Sequence, residues 1–236
     1  MVLVRLHIII TYFLKIMLNQ RRQKQITFAI VIAFFLIVLL YAYLRYSVFY
    51  GLDFLINANF LINKAFAGAA VLSVCTAYIL SSLGKTGNVM ARKYQGFKRF
   101  FGLSGFYFMC LHIFFGFRII SPELLPQFFD DDGSIGLRGQ IIILLGASGF
   151  TLFLLPAISS MNDIMKKLGA RKWQIVQRFG YAAFFVIMIH ASVIGYQNWL
   201  SPKLWYGGMP PITLICVSLI FMALVLRLYV LIRLRK

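Results

Sequence analysis

Charged residues are scarce in this 236-residue chain, and acidic residues are the scarcest of them. Only 13% of the residues are charged and only six are Asp or Glu, whereas 61% are hydrophobic. A water-soluble domain of this length needs far more polar surface to cover its core. The composition therefore excludes an ordinary soluble protein and predicts an all-α, polytopic helix bundle in a lipid bilayer.

Several motifs are also lacking. The three cysteines, Cys75, Cys110 and Cys216, lie in apolar runs without the spacing of a disulfide framework or a zinc site. The chain has no glycine-rich phosphate loop, so we expect no nicotinamide- or FAD-binding dehydrogenase domain. It has no internal repeat and no low-complexity segment. What remains is a series of long apolar runs.

Six of these runs are each long enough to cross a hydrocarbon core of about 30 Å, which takes about 20 helical residues. They lie near 26–44, 65–83, 101–120, 140–158, 179–197 and 212–231. Together they predict a six-helix transmembrane domain over residues 26–236. Before it, His7, Thr11 and Lys15 recur at helical spacing, so residues 1–25 are expected to form an interfacial amphipathic segment rather than a cleaved signal peptide.

The basic residues indicate the orientation of the chain. Its formal net charge of +18 would suit a nucleic-acid partner if the charges formed one surface. Instead, 19 of the 24 Lys and Arg residues fall in the segments 1–25, 85–100, 159–178 and 227–236. The positive-inside rule predicts that these segments, and both termini, are cytoplasmic. We expect a multi-pass protein of a bacterial inner membrane and no nucleic-acid partner.

Two histidines lie inside the predicted spans. His112 follows Phe101 by eleven residues in the third span, and His190 follows Phe179 by eleven in the fifth. These spans run in the same direction, so both imidazoles are expected about 16 Å from the cytoplasmic boundary, at 1.5 Å per residue. Two neutral imidazoles at one depth can supply both axial ligands of a haem b. Alternatively, each histidine hydrogen-bonds a neighbouring helix.

A porphyrin between helices also needs small residues beside its ligands. Helical spacing puts Gly105 and Gly116 on the face of the first histidine and Ala183 on the face of the second. Gly146 and Gly149 can have the same role on the fourth span. Small residues also mark ordinary helix packing in membranes, so these positions are candidates for the cofactor lining or for packing.

Two stretches of sequence carry a family resemblance. Residues 99–103 read RFFGL and precede Leu111-His112, and residues 166–181 read KKLGARKWQIVQRFGY and precede Ile189-His190. The region from about residue 98 to 198 resembles the ferric reductase-like transmembrane family. Within it, the region is most similar to the haem-binding membrane subunits of bacterial methionine sulfoxide reductase systems. The resemblance implies that His112 and His190 are the axial ligands of a haem iron.

The resemblance is incomplete on the cytoplasmic side. Members that hold two haems have additional histidines, where this chain has Gln177 and Lys98. We therefore expect one haem, toward the outer leaflet. In relatives the cytoplasmic electron carrier is a flavin, which implies an FMN or FAD site near Arg99, Arg171, Trp173 and Arg178. Positive-inside anchoring explains the same charges.

These features predict an oxidoreductase component: a haem b electron-transfer subunit between a cytoplasmic flavin or flavin reductase and a periplasmic acceptor. The acceptor is expected to be a reductase partner or a metal ion, for which the run Asp130 to Asp132 is a candidate site. The alternative is a non-redox permease or assembly scaffold with structural histidines. Against transport, the predicted spans contain no buried Asp, Glu or Lys of the kind that marks ion pathways.

Overall fold

In a computed structural model, the chain is a bundle of helices joined by short turns. The structure describes the backbone of residues 2–234 and the side chains of residues 21–89 and 91–234. The helices are α1 (Val2–Ala42), α2 (Ala58–Leu83), α3 (Val89–Lys93), α4 (Lys98–Arg118), α5 (Leu137–Ser159), α6 (Asn162–Gly195) and α7 (Ile212–Arg233). Between residues 2 and 234 there is no β-strand, and a single bridge joins Phe129 to Ile135. The predicted all-α class is confirmed.

Six helices are long and apolar enough to cross a membrane. These segments are Arg21–Val48, Ala58–Thr86, Gln95–Arg118, Leu137–Ser159, Asn162–Asn198 and Tyr206–Arg233. They match the six predicted spans one for one. The cytoplasmic location of the termini stays a prediction from the charge distribution. Most side chains of the predicted interfacial segment, residues 1–25, lie outside the described residues, and that segment also stays a prediction.

The second span begins earlier than the sequence pattern indicates. Helix α2 starts at Ala58, whereas the apolar run was expected from residue 65. Asp53 organises the turn before it, since its side chain accepts from the Ile56 N–H at 3.0 Å and its carbonyl accepts from the Asn57 side chain at 3.0 Å. The added turns are polar enough to lower the local hydropathy. They bring Lys64 inside the helix and inside the membrane-crossing segment Ala58–Thr86, where it is half-buried, whereas the predicted span began after it.

The fifth span also begins earlier than predicted. Helix α6 starts at Asn162 and is interrupted at Gly169, whose φ of 68° and ψ of 165° are not helical. Glycine adopts this left-handed φ without the steric cost that a Cβ would bring. The basic segment that follows, expected to be a loop, is helical. Trp173 and Gln177 therefore stand one turn apart on one face of the helix.

The packing of the helices leaves a cleft. Helix α2 is central and packs against α1, α4 and α7, while α6 packs against α5 and α7. Helix α4 makes little direct contact with α5 or α6. The helices that carry the two histidines, α4 and α6, are thus held apart by their neighbours, and open space lies between them.

Candidate functional site

A cavity of about 400 Å³ lies in this cleft. Its walls come from α2, α4, α5, α6 and α7 and are mostly aliphatic and aromatic. Its volume lies in the range of about 300–1,000 Å³ that is typical of cofactor and ligand sites. His112 from α4 and His190 from α6 both line it.

Backbone carbonyls of neighbouring helices orient both imidazole rings. The Nδ1 atom of His190 lies 2.9 Å from the carbonyl oxygen of Ile142, and Nδ1 of His112 lies 3.4 Å from that of Asn63. A carbonyl oxygen can only accept, so each contact favours the tautomer with its proton on Nδ1. That tautomer leaves the Nε2 lone pair free to bind a metal, and histidine ligands usually carry this kind of partner on the other nitrogen.

A purely structural role would explain the contacts of only one nitrogen atom of each imidazole ring. Both Nδ1 atoms do contact a neighbouring helix, as a structural role requires. Among the side chains that the structure describes, however, no hydrogen bond is made by either Nε2 atom. Both rings line one apolar cavity. Two imidazoles with free acceptor nitrogens, which line one cavity from two different helices, suit axial ligation.

Glycines make room on both sides of this cavity. Gly116 lines it, and a Cβ added there would meet no atom within 4 Å. Gly146 supports the His190 ring from behind, since a Cβ added there would lie 3.0 Å from its Cε1 atom. At Gly149 an added Cβ would lie 2.5 Å from Cδ1 of Ile187, so this glycine allows α5 and α6 to approach closely.

Two of the predicted lining residues lie elsewhere. Gly105 faces α2, where an added Cβ would come within 2.6 Å of Cγ2 of Val74, and Ala183 is fully buried in the core. Neither lines this cavity or the basic cavity described below. The seven-residue spacing gave the correct face of each helix, but seven residues also displace a side chain by about 10.5 Å along the axis. These two positions therefore serve helix packing.

The sequence pattern missed two polar residues of the cavity wall. Lys64 lines it, with Nζ 4.8 Å from the ring centroid of Phe60. Asn63 is 5% exposed, and its Oδ1 atom has no hydrogen-bond partner. Asn63 and Lys64 precede Ala67 of the same cavity lining by four and three positions, so helical spacing continued backward from the apolar run would have found them.

A second cavity, of about 220 Å³, lies at the opposite end of the cleft. Its lining includes five basic residues and no acidic one; they are Lys85, Lys98, Arg99, Arg178 and Arg227. Among the aromatic residues of its wall are Trp173 and Tyr181. An apolar and aromatic cavity with several unpaired cations favours a flat, anionic ligand.

Some donors of this second cavity are already used and others are free. The Arg99 guanidinium donates to the Ser160 carbonyl at 2.9 Å and to the Asn162 side chain at 2.7 Å. Nε1 of Trp173 and Nη1 of Arg227 are buried without a partner. Of the residues that the sequence suggested for a flavin, Arg99, Trp173 and Arg178 line the cavity, whereas Arg171 is exposed and does not. Arg227 was missed because it lies in the last span.

Gln177 lies where two-haem relatives have a histidine. Its Nε2 atom lies 2.9 Å from the Pro156 carbonyl, 2.9 Å from Oγ of Ser159 and 3.1 Å from Oγ of Ser160. These contacts tie α6 to the C-terminal end of α5, where Pro156 lies inside the helix. An amide at this position acts as a packing and capping group. The number of haems stays a prediction.

The two cavities are neighbours. Val74 and Phe153 line both of them. Beside this shared wall, the rings of Phe106 and Phe150 stack with their centroids 5.6 Å apart and their planes 10° from parallel. Groups held in the two cavities would thus be separated by about one layer of side chains.

The acidic run Asp130 to Asp132, in the loop between α4 and α5, forms a turn. The Ser134 N–H donates to Oδ1 of Asp132 at 2.9 Å, and Gly133 between them has a left-handed φ of 79°. The Ser134 hydroxyl and the same N–H hold the pKa of the Asp132 carboxyl below its usual value. Among residues with described side chains, no group of three or more His, Cys, Asp or Glu is close enough to hold a metal ion. The candidate metal site at this run gains no support.

Comparison with known proteins gives partial matches. No family model matches the chain. Three relatives carry the name protein-methionine-sulfoxide reductase heme-binding subunit MsrQ. The protein of Azospira oryzae is 30% identical over 94 residues, which are 39% of this chain and 38% of that protein. The protein of Rhodospirillum rubrum is 26% identical over 112 residues, which are 47% and 50% of the two chains.

The third relative, from Herminiimonas arsenicoxydans, is 30% identical over 94 residues, or 39% of this chain and 40% of that protein. The chain therefore spans half or less of the length of the curated relatives that it matches. The predicted resemblance is confirmed at this level: over two fifths to one half of its length, this chain is similar to MsrQ, the haem-binding subunit named in those three bacteria.

Proposed function

We propose that this chain is a haem b transmembrane electron-transfer subunit, in which His112 and His190 are the two axial ligands. The observation that carries the proposal is that two imidazoles line one apolar cavity from two helices, each with Nδ1 near a backbone carbonyl and Nε2 without a described hydrogen bond. The similarity to proteins named as haem-binding subunits supports it independently.

The chain's own residues position the ligands of the haem and exclude water from its cavity. A bound haem b supplies reversible one-electron chemistry. The carbonyls of Ile142 and Asn63 hold each imidazole in the ligating tautomer, and the apolar walls exclude water from the cavity. With both axial positions taken by imidazole, no coordination position remains open for oxygen.

The basic cavity is the proposed electron entry. Its five cations and its aromatic residues suit the phosphate and ring of FMN or FAD, either bound or presented by a flavin reductase. The wall shared through Val74 and Phe153 supports short-range transfer between the two cavities. Because the segments around this cavity are the most basic of the chain, we infer that it opens to the cytoplasm.

Electrons would leave on the other side of the membrane. The names of the relatives support a protein-methionine-sulfoxide reductase as the acceptor, and the proposed orientation of the chain puts that partner in the periplasm. Direct reduction of a metal ion has no comparable support, because the acidic run of the outer loop is folded into its own turn. The bacterial inner membrane is the matching location.

The test is the visible spectrum of the detergent-purified protein, oxidised and dithionite-reduced, with a pyridine haemochrome assay. We expect a low-spin b-type spectrum with one haem per chain. We also expect the loss of that spectrum in His112→Ala and in His190→Ala, and its retention in Gln177→Ala. A colourless wild type after haem-replete expression would overturn the proposal and favour a permease or an assembly scaffold.

A further inference from the structure

The cavity of the two histidines contains a lysine that has no anionic partner. Lys64 belongs to α2, inside a membrane span, and lines the apolar cavity. The six acidic residues of the chain are Asp53, Glu123, Asp130, Asp131, Asp132 and Asp163, and none of them lines this cavity. An ionisable residue at such a place is costly unless something compensates its charge.

The only described contact of its ammonium group is weak. Nζ of Lys64 lies over the ring of Phe60, at 4.8 Å from the centroid. A cation–π contact of this kind partly compensates a charge but does not neutralise it. The ammonium group keeps three donors for another partner, and the flexible stem can carry them along the cavity wall.

A second polar group beside it is also unpartnered. Asn63 is 5% exposed and lines the same cavity, and its Oδ1 atom is buried without a hydrogen bond. Buried polar atoms in native structures nearly always have partners, so an unpartnered one at a cavity suggests a ligand. The side-chain amide of Asn63 also carries an NH₂ group, which can donate to an acceptor in the cavity.

We propose that Asn63 and Lys64 form a carboxylate site of this cavity, and that its occupant is a propionate of the haem whose iron His112 and His190 bind. This inference rests on the proposed function. A haem b carries two carboxylates on an otherwise apolar ring, and Lys64 is the only cation among the described residues that line this cavity. The Asn63 backbone carbonyl already orients the His112 ring, so one turn of α2 would fix both the ligand and the carboxylate.

The charge of Lys64 also bears on the reduction potential. Reduction adds one negative charge to the bound group, and a nearby cation stabilises the reduced form more than the oxidised form. Removing that cation therefore lowers the midpoint potential. A tenfold change in the relative stability of the two forms corresponds to about 59 mV for a one-electron couple.

The test compares wild type, Lys64→Met and Lys203→Met, each purified with its haem. Lys203 is exposed, lies in an outer-loop turn and lines neither cavity, so it controls for the loss of a lysine. The readouts are the rate of haem transfer to excess apomyoglobin and the midpoint potential. We expect transfer from Lys64→Met to be about tenfold faster than from wild type, as for the loss of a charge-assisted hydrogen bond. We also expect its potential to be lower, and Lys203→Met to match wild type in both readouts.

A ligand-side arm needs no substitution. Protein expressed without haem is loaded with haem b or with its dimethyl ester, which keeps the iron but lacks both carboxylates. We expect the dimethyl ester to leave wild type about tenfold faster than haem b does, and at the rate at which it leaves Lys64→Met. Lys64→Arg, which keeps the charge, should keep most of the slow release.

Equal release rates and equal potentials in Lys64→Met and Lys203→Met, with one low-spin haem bound in each, would overturn the carboxylate site and leave the histidine pair intact. Equal release of haem b and its dimethyl ester from wild type would overturn it as well. A wild type that binds no haem at all would instead overturn the proposed function, so the two failures are distinguishable.

Discussion

Gly146 offers a sharp test of how the histidine site is built, because its backbone is in contact with the His190 ring. A Cβ added at Gly146 would lie 3.0 Å from Cε1 and 3.2 Å from Nδ1 of His190. Ordinary contacts to a Cβ begin at about 3.4 Å, so in Gly146→Ala the ring has to move by a few tenths of an ångström. Such a movement strains the 2.9 Å hydrogen bond from Nδ1 to the Ile142 carbonyl.

Gly146→Ala is expected to change folding stability and haem binding by very different amounts. Weakening this hydrogen bond costs roughly 0.5–1.5 kcal/mol of folding stability. The change from glycine to alanine inside a helix returns about 1 kcal/mol through helix propensity. The two effects nearly cancel, so the thermal midpoint of the protein without haem should barely change. Disturbing the partner of a metal ligand, by contrast, lowers metal affinity by about 10- to 100-fold.

The assay is haem transfer to excess apomyoglobin, measured beside the unfolding temperature of the haem-free protein. Gly102→Ala is the matched control, because a Cβ at Gly102 in α4 meets nothing within 4 Å and this residue lines the basic cavity, not the cavity of the histidines. We expect Gly146→Ala to release haem at least tenfold faster and Gly102→Ala to match wild type. Equal release from both variants would refute the reasoning that Gly146 positions His190.

Two further predictions concern the basic cavity and the helix packing. Arg227→Gln should weaken FMN binding about tenfold in a fluorescence titration, because it removes an unpartnered donor from the cavity. The control is Arg233→Gln, and equal FMN affinities of the two variants would contradict the prediction. Gly105→Ala should lower stability by roughly 1–3 kcal/mol through overpacking against Val74. In a thermal unfolding assay its midpoint should fall below that of Gly102→Ala. An unchanged midpoint would contradict this prediction and show that α2 moves to accommodate the added methyl group.

Some features of this protein follow directly from its sequence. The apolar runs gave all six spans, because a hydrocarbon core demands about 20 consecutive apolar residues and such runs stand out. Equal spacing of His112 and His190 from their span entries predicted that they lie at one depth, and both line one cavity.

Other features required the structure. Gly105 and Ala183 show that a helical face does not fix the depth at which a side chain meets a cavity. Lys64 was missed because polar residues lower the hydropathy of the first turns of α2, so the predicted span began too late. Arg227 was missed because it comes from a distant part of the chain. Sequence spacing reports neighbours within one helix, whereas both cavities are assembled from at least four helices.

The central claim is that His112 and His190 together hold one haem iron in the cavity between α4 and α6. The most direct measurement is the electron paramagnetic resonance spectrum of the oxidised, purified wild-type protein, integrated against its concentration. The account predicts a low-spin ferric signal of the bis-imidazole type with one spin per chain. A high-spin ferric signal, or no haem signal in protein expressed with ample haem, would contradict it.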